Sequence, residues 1–229
     1  MTPLVLIPGY MLDETLWDDV LPLLGTDRPI IHGSLREGAT VDEMARRMLA
    51  ACPPRFALAG FSMGGYIARE MARLAPQRVQ SLILIATSAR PDSQTTREQR
   101  AKAALNTPPG PFRGLSNGAI VTSLHPDRAG DAQLIARVRA MGERLGREVF
   151  LRQSLLERGD MERLGEIACP TLVIAAAQDQ LRSPVQAEEL RDGIPGARLE
   201  VVKRSGHLIP LEQPAALAQL MRNWLDASA

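Results

Sequence analysis

The sequence predicts an α/β fold, a parallel sheet of about six strands with helices on both faces and a helical insertion between its two halves. Three observations carry that expectation. Short continuous apolar runs alternate with longer segments of helical spacing, which is how a sheet buried on both faces reads. A Gly-x-Ser-x-Gly turn, Gly60-Phe61-Ser62-Met63-Gly64, joins one such strand to one such helix. Between Ser88 and Ile167 the alternation stops and no buried strand is legible.

The elements follow in order. Pro3-Leu4-Val5-Leu6-Ile7 is a fully buried strand ended by Pro8-Gly9. Arg28 to His32 is a shorter, weaker strand, suited to one edge of the sheet. Thr40 and Glu43 stand at capping-box spacing and open a helix that runs to about Ala51. Arg55 to Phe61 is a strand, and Met63 to Ala75 a helix stopped by Pro76. Val79 to Ala86 is a strongly apolar strand. The insertion holds an Arg- and Gln-rich stretch, a breaker cluster from Asn106 to Pro111, and helical segments near Asp131–Leu145 and Arg147–Leu156. The alternation then resumes with a strand at Thr171–Ala177, a helix at Pro184–Asp192, a strand at Ala197–Lys203 and a helix at Gln213–Leu225. This divides the chain into a core, residues 1–87 and 168–229, and a helical cap, residues 88–167.

Composition narrows the function. At 229 residues and 45% hydrophobic content, one α/β domain with a sizeable core is expected. Aromatics are 3%, so that core is aliphatic. Lys plus Arg is 27 and Asp plus Glu is 26, a net charge of +1, which gives no electrostatic reason to bind nucleic acid or an anionic membrane. No run is long enough to span a bilayer, and the N-terminal apolar run is too short for a signal peptide. Cys52 and Cys169 read as small buried hydrophobes in a reducing compartment. A cytoplasmic protein is expected.

The chemistry concentrates at Ser62. A serine on a sharp strand-to-helix turn needs glycines two residues either side, where the backbones crowd together, and the turn lifts its hydroxyl out of the sheet. The helix that follows aims its N-terminal N–H groups at the same point. A phosphate-binding turn would instead show G-x-G-x-x-G or G-K-S/T, and neither is present. A serine nucleophile needs a base, and the base needs an orienting group. Of the three histidines, His207 sits in a loop after the last strand, at the same sheet edge as Ser62. His32 and His125 read as surface or packing residues. Asp179 follows the penultimate strand and gives the order Ser, Asp, His; Asp92, after the Val79–Ala86 strand, is the rival acid. Backbone N–H groups of Met63 and Tyr10 are the expected oxyanion donors.

These motifs resemble the α/β-hydrolase superfamily, in particular small esterase-like members near pimeloyl-ACP methyl ester esterases and proline-iminopeptidase-like hydrolases. The resemblance runs through Leu4–Gly9 with Leu16-Trp17, Gly60–Gly65, Ile167–Ile174 leading to Asp179, and Ser205-Gly206-His207-Leu208 before Leu211-Glu212-Gln213-Pro214. It implies the Ser62–His207–Asp179 triad, a backbone oxyanion hole, and no metal or cofactor. Two departures stand out. Pro8-Gly9 replaces the family's His-Gly, and the usual hairpin before the first strand is missing, which shortens the sheet to six parallel strands. The expected partner is a small-molecule substrate with an apolar acyl group. Met11, Trp17, Met141, Phe150 and Leu208 are the candidates for contacting it, while Arg152 and Arg158 read first as surface arginines, with a substrate carboxylate or phosphate as the alternative. Ester or thioester hydrolysis through an acyl-enzyme leads. The same triad acting on an amide, lactone or carbon–carbon bond, or a binding module that barely turns over, stays open.

Overall fold

The computed structural model describes residues 1–25, 27–107, 110–158 and 163–228. Six strands form one sheet: β1 Leu4–Ile7, β2 Ile30–His32, β3 Phe56–Phe61, β4 Val79–Ile85, β5 Thr171–Ala176 and β6 Arg198–Val202. Their order is β2-β1-β3-β4-β5-β6, and every neighbouring pair is parallel. The short β2 lies at one edge, where its half-buried side chains suit it.

Strand periodicity sorts the core into two layers. Leu4, Leu6, Ala59, Phe61, Ile83 and Ile85 face one side, against helices α1 (Leu21–Leu24) and α9 (Pro214–Ala227). Val5, Ile7, Leu58, Leu82 and Leu84 face the other, against α2 (Val41–Ala51), α3 (Met63–Leu74) and α7 (Pro184–Gly193). Helix α3 is buried nearly all round because it is wedged between the sheet and α2. A four-residue helix, α8 (Ile209–Glu212), precedes α9.

At the start of α2 the Thr40 hydroxyl accepts from the Glu43 N–H at 3.1 Å, as its spacing predicts. The return bond differs from a full capping box: the Glu43 carboxylate accepts from Ala39 N–H at 2.9 Å, one residue earlier than the cap.

Between β4 and β5 the described residues form helices and no strand. Helix α4 (Gln94–Leu105) covers the Arg- and Gln-rich stretch, α5 (Asn117–Ser123) follows, and α6 (Ala132–Leu155) is broken at Gly146, whose φ of 80° and ψ of 177° are non-helical. The break reproduces the two helical segments expected there. Pro108 and Pro109 of the breaker cluster lie outside the described residues.

Asp13 ties this insertion to the loop after β1. Its side chain caps the 3-10 turn Glu14–Trp17 and accepts from Arg144 of α6 at 2.7 and 3.1 Å. Burial alone would raise its pKa; the bonds from Arg144 and Thr15 outweigh burial and hold it below the ordinary carboxyl value. A depressed folded-state value means the stabilisation is complete above the unfolded pKa, about 3.9, and fades as pH falls through the folded one. Asp13→Asn is therefore expected to lose about 1–2 kcal/mol at pH 7. The gap to wild type should close below about pH 4 in urea titrations. A gap independent of pH would contradict this.

Candidate active site

The loop after β1, the β3–α3 turn, and the loops after β5 and β6 all emerge at the carboxyl edge of the sheet. At the β3–α3 turn Ser62 takes φ 50° and ψ −114°, a conformation that L-residues avoid. Local bonds enforce it. The Ser62 N–H donates to the Ile85 carbonyl at 2.8 Å, and the Thr87 hydroxyl donates to the Ser62 carbonyl at 2.7 Å. The glycines are required by crowding. A Cβ on Gly60 would stand 2.5 Å from the Gly64 carbonyl oxygen; one on Gly64 would collide with the Pro8 carbonyl and lie 2.7 Å from that of Ile7. Gly9 has the same reason, since a Cβ there would meet the Phe61 ring at 2.9 Å and Ser62 Cβ at 3.3 Å. The Pro8-Gly9 departure thus keeps the close approach that the turn needs.

His207 and Asp179 converge on that hydroxyl. His207 Nε2 is 2.8 Å from Ser62 Oγ, and its Nδ1 is 2.7 Å from Asp179 Oδ2. The other Asp179 oxygen accepts from the N–H groups of Leu181, at 2.7 Å, and Arg182, at 3.0 Å. An Asp179 side chain only 1% exposed is held as an acceptor from three directions. With Nδ1–H donating to the carboxylate, Nε2 carries the lone pair and accepts from Ser62. Asp92 pairs instead with Arg100 at 2.7 Å.

The His207 loop is pinned beneath the insertion. The His207 N–H donates to the Ser123 carbonyl at 2.8 Å, at the end of α5. Buried Glu212 accepts from His125 N–H at 2.6 Å and from Gly206 N–H. Burial raises the Glu212 pKa, against the pull of those two bonds. Nothing in the sequence around Glu212 signals its place under the loop. His125 is a packing residue whose ring accepts from Asp127 N–H at 3.1 Å, and His32 is exposed at the end of the edge strand.

Met63 heads α3, so its N–H has no intrahelical partner. Met11 N–H is taken by the buried Gln153 side chain at 2.8 Å, whereas nothing among the described residues engages the Tyr10 N–H. The Met63 and Tyr10 N–H groups are both without a hydrogen-bond partner among the described residues.

Above Ser62 and His207 lies a cavity of about 350 Å³, walled by Leu12, Phe61, Leu115, Ala119, Val138, Leu181 and Leu208, with Tyr10, Arg158 and Arg182 as polar lining. The residues expected to contact substrate lie in different places. Leu208 borders the cavity. Met11, Trp17 and Met141 are fully buried in the core, and Phe150 packs behind the wall on Tyr10 and Phe112, with ring centroids 6.3 and 4.9 Å away. Arg152 is at the surface, donating to the Arg36 carbonyl, but Arg158 is buried in the cavity wall. The α5 lining, Gly118 to Ser123, carried no sequence signal, because Gly, Val and Thr are weak helix formers.

The model of the alpha/beta hydrolase fold family matches residues 25–214. Pimeloyl-acyl-carrier protein methyl ester esterase of Neisseria meningitidis is 27% identical across 96% of this chain and 92% of its own length. A protein named putative carbamate hydrolase RutD, from Variovorax paradoxus, is 28% identical across 84% of this chain and 75% of its own. Among solved structures, a thermophilic esterase from Thermogutta terrifontis superposes with a TM-score of 0.86 at 28% identity, covering 100% of this chain and 90% of that one. The enol-lactonase of Burkholderia xenovorans LB400 gives 0.88 at 20% identity, over 99% and 92%, and shares the fold. The chain belongs to the α/β-hydrolase fold family and is an enzyme of the hydrolase class.

The crowding at the turn makes a direct prediction. Gly64→Ala should lose at least about 3 kcal/mol of stability or fail to fold. Gly118→Ala, with no atom within 4 Å of its Cβ, should be neutral or gain up to about 1 kcal/mol. Urea denaturation of the two variants reads the contrast, and equal stabilities would contradict it.

Proposed function

We propose that the chain is a serine hydrolase that cleaves carboxylic esters or thioesters with an apolar acyl part through an acyl-enzyme. The observation that carries this reading is the unbroken hydrogen-bonded line from Ser62 Oγ through the His207 ring to Asp179, at 2.8 and 2.7 Å, at the floor of a mainly apolar cavity.

In this reading His207 Nε2 removes the Ser62 proton as Oγ attacks the carbonyl carbon. The carbonyl oxygen becomes an oxyanion and accepts from the Tyr10 and Met63 N–H groups. Collapse of the tetrahedral adduct expels the alkoxide or thiolate, which takes the proton from His207, and leaves the acyl group on Ser62. A water then follows the same route: His207 takes its proton, its oxygen attacks the acyl carbon, and Ser62 departs with that proton restored. Asp179 keeps the required tautomer and stabilises the transient imidazolium. The absence of any Asp or Glu from the described cavity lining favours substrates that develop negative charge at the carbonyl.

Steady-state hydrolysis of p-nitrophenyl acetate and butyrate tests this. Ser62→Ala should abolish turnover above background, and Asp179→Asn should lower kcat by about 10³–10⁴-fold with the fold intact. Undiminished turnover in Ser62→Ala would sink the reading.

A further inference from the structure

Arg158 is 8% exposed, and a buried cation ordinarily has an anion beside it. This one has none within ion-pair distance among the described residues. One N–H, on Nη2, donates to the Gln153 carbonyl at 2.9 Å, and the guanidinium carbon lies 5.3 Å from the centre of the Tyr10 ring. Its buried Nε has no partner. The nearby carboxylate, Asp92, is engaged by Arg100 at 2.7 Å. Arg182, whose buried Nε is also unpartnered, lines the same cavity. The cavity that opens on Ser62 therefore has two cations in its wall and no acidic residue among the described lining. Burial lowers the Arg158 pKa to about 10, helped by Arg100 and opposed by Asp92, which leaves it charged at neutral pH.

A buried guanidinium with no carboxylate beside it among the described residues is costly unless a ligand supplies the missing charge, and its planar fork matches a carboxylate with two parallel hydrogen bonds. We propose that Arg158, assisted by Arg182, forms a carboxylate-binding subsite, so that the preferred substrate is an ester whose acyl chain ends in a free carboxylate, a half-ester of a dicarboxylic acid. The inference rests on the serine-hydrolase reading and names its substrate class. Tyr10 bounds the subsite: its ring faces Arg158, while its hydroxyl donates to Ser154 Oγ at 2.7 Å, whose own proton goes to the Phe150 carbonyl. The cavity volume holds roughly a dozen water-sized groups, enough for a short dicarboxylic chain.

The test pairs kinetics with binding. Mono-p-nitrophenyl adipate and its methyl-capped neutral counterpart are compared on wild type, Arg158→Gln and Arg158→Lys, and adipate is titrated calorimetrically into each. We expect wild type to favour the carboxylate ester in kcat/KM by at least ~10-fold, the scale of one charge-assisted hydrogen bond. That ratio should fall toward 1 in Arg158→Gln and be partly kept in Arg158→Lys, with adipate affinity following the same order. Arg158→Lys serves alone if the glutamine variant does not fold. Equal or better use of the neutral ester by wild type, or a preference that survives in Arg158→Gln, would overturn the subsite and leave the hydrolase reading standing. Adipate binding that depends on Arg158, without turnover of either ester, would keep the subsite and overturn the hydrolase reading. Neither binding nor turnover would overturn both.

Discussion

Ser62 sits at φ 50°, ψ −114° only because three backbones meet around it. Gly60, Gly64 and Gly9 let the end of β3, the first turn of α3 and the loop after β1 approach to distances no Cβ would permit. The bonds to Ile85 and Thr87 hold the turn once it is made. A strained residue persists only where its surroundings over-determine it. Here the strain lifts a hydroxyl clear of the sheet at the head of α3, within 2.8 Å of His207. Everything proposed about the chemistry follows from that placement.

The rest of the site is brought to this fixed point from distant parts of the chain. The sheet supplies Asp179 and His207 on loops after β5 and β6. The insertion supplies the roof and also anchors, since Ser123 holds the His207 backbone and Gln153 holds the loop that carries Tyr10. Buried Asp13 and half-exposed Arg144 join the same two layers. The α4–α6 segment and the loops at the sheet edge are thus joined by polar bonds at the site.

Much of this was legible in the residue string. Each strand of the sheet is a short aliphatic run, so its position follows from composition, and the Gly-x-Ser-x-Gly spacing encodes a steric demand that few other turns share. Chain order favours Asp179 over Asp92 as the partner of His207, and the two side chains lie 2.7 Å apart. Cavity-lining residues were harder. Met141 has the spacing of an inward helix face, yet periodicity cannot separate a face that packs from a face that borders a void. Helix α5 has no clear sequence signature because Gly118, Val121 and Thr122 give it little intrinsic helicity; tertiary contacts and the Ser116 cap hold it. Arg158 read as a surface residue because arginine usually is one, and its burial depends on neighbours far away in sequence.

The most direct measurement of the central claim is intact-mass analysis after exposure to a fluorophosphonate, followed by peptide mapping. The account predicts a single adduct, located on Ser62, that forms on the native protein and not on the urea-unfolded chain, where Ser62 is an ordinary hydroxyl. No adduct on the native protein, or an adduct on another serine, would contradict it.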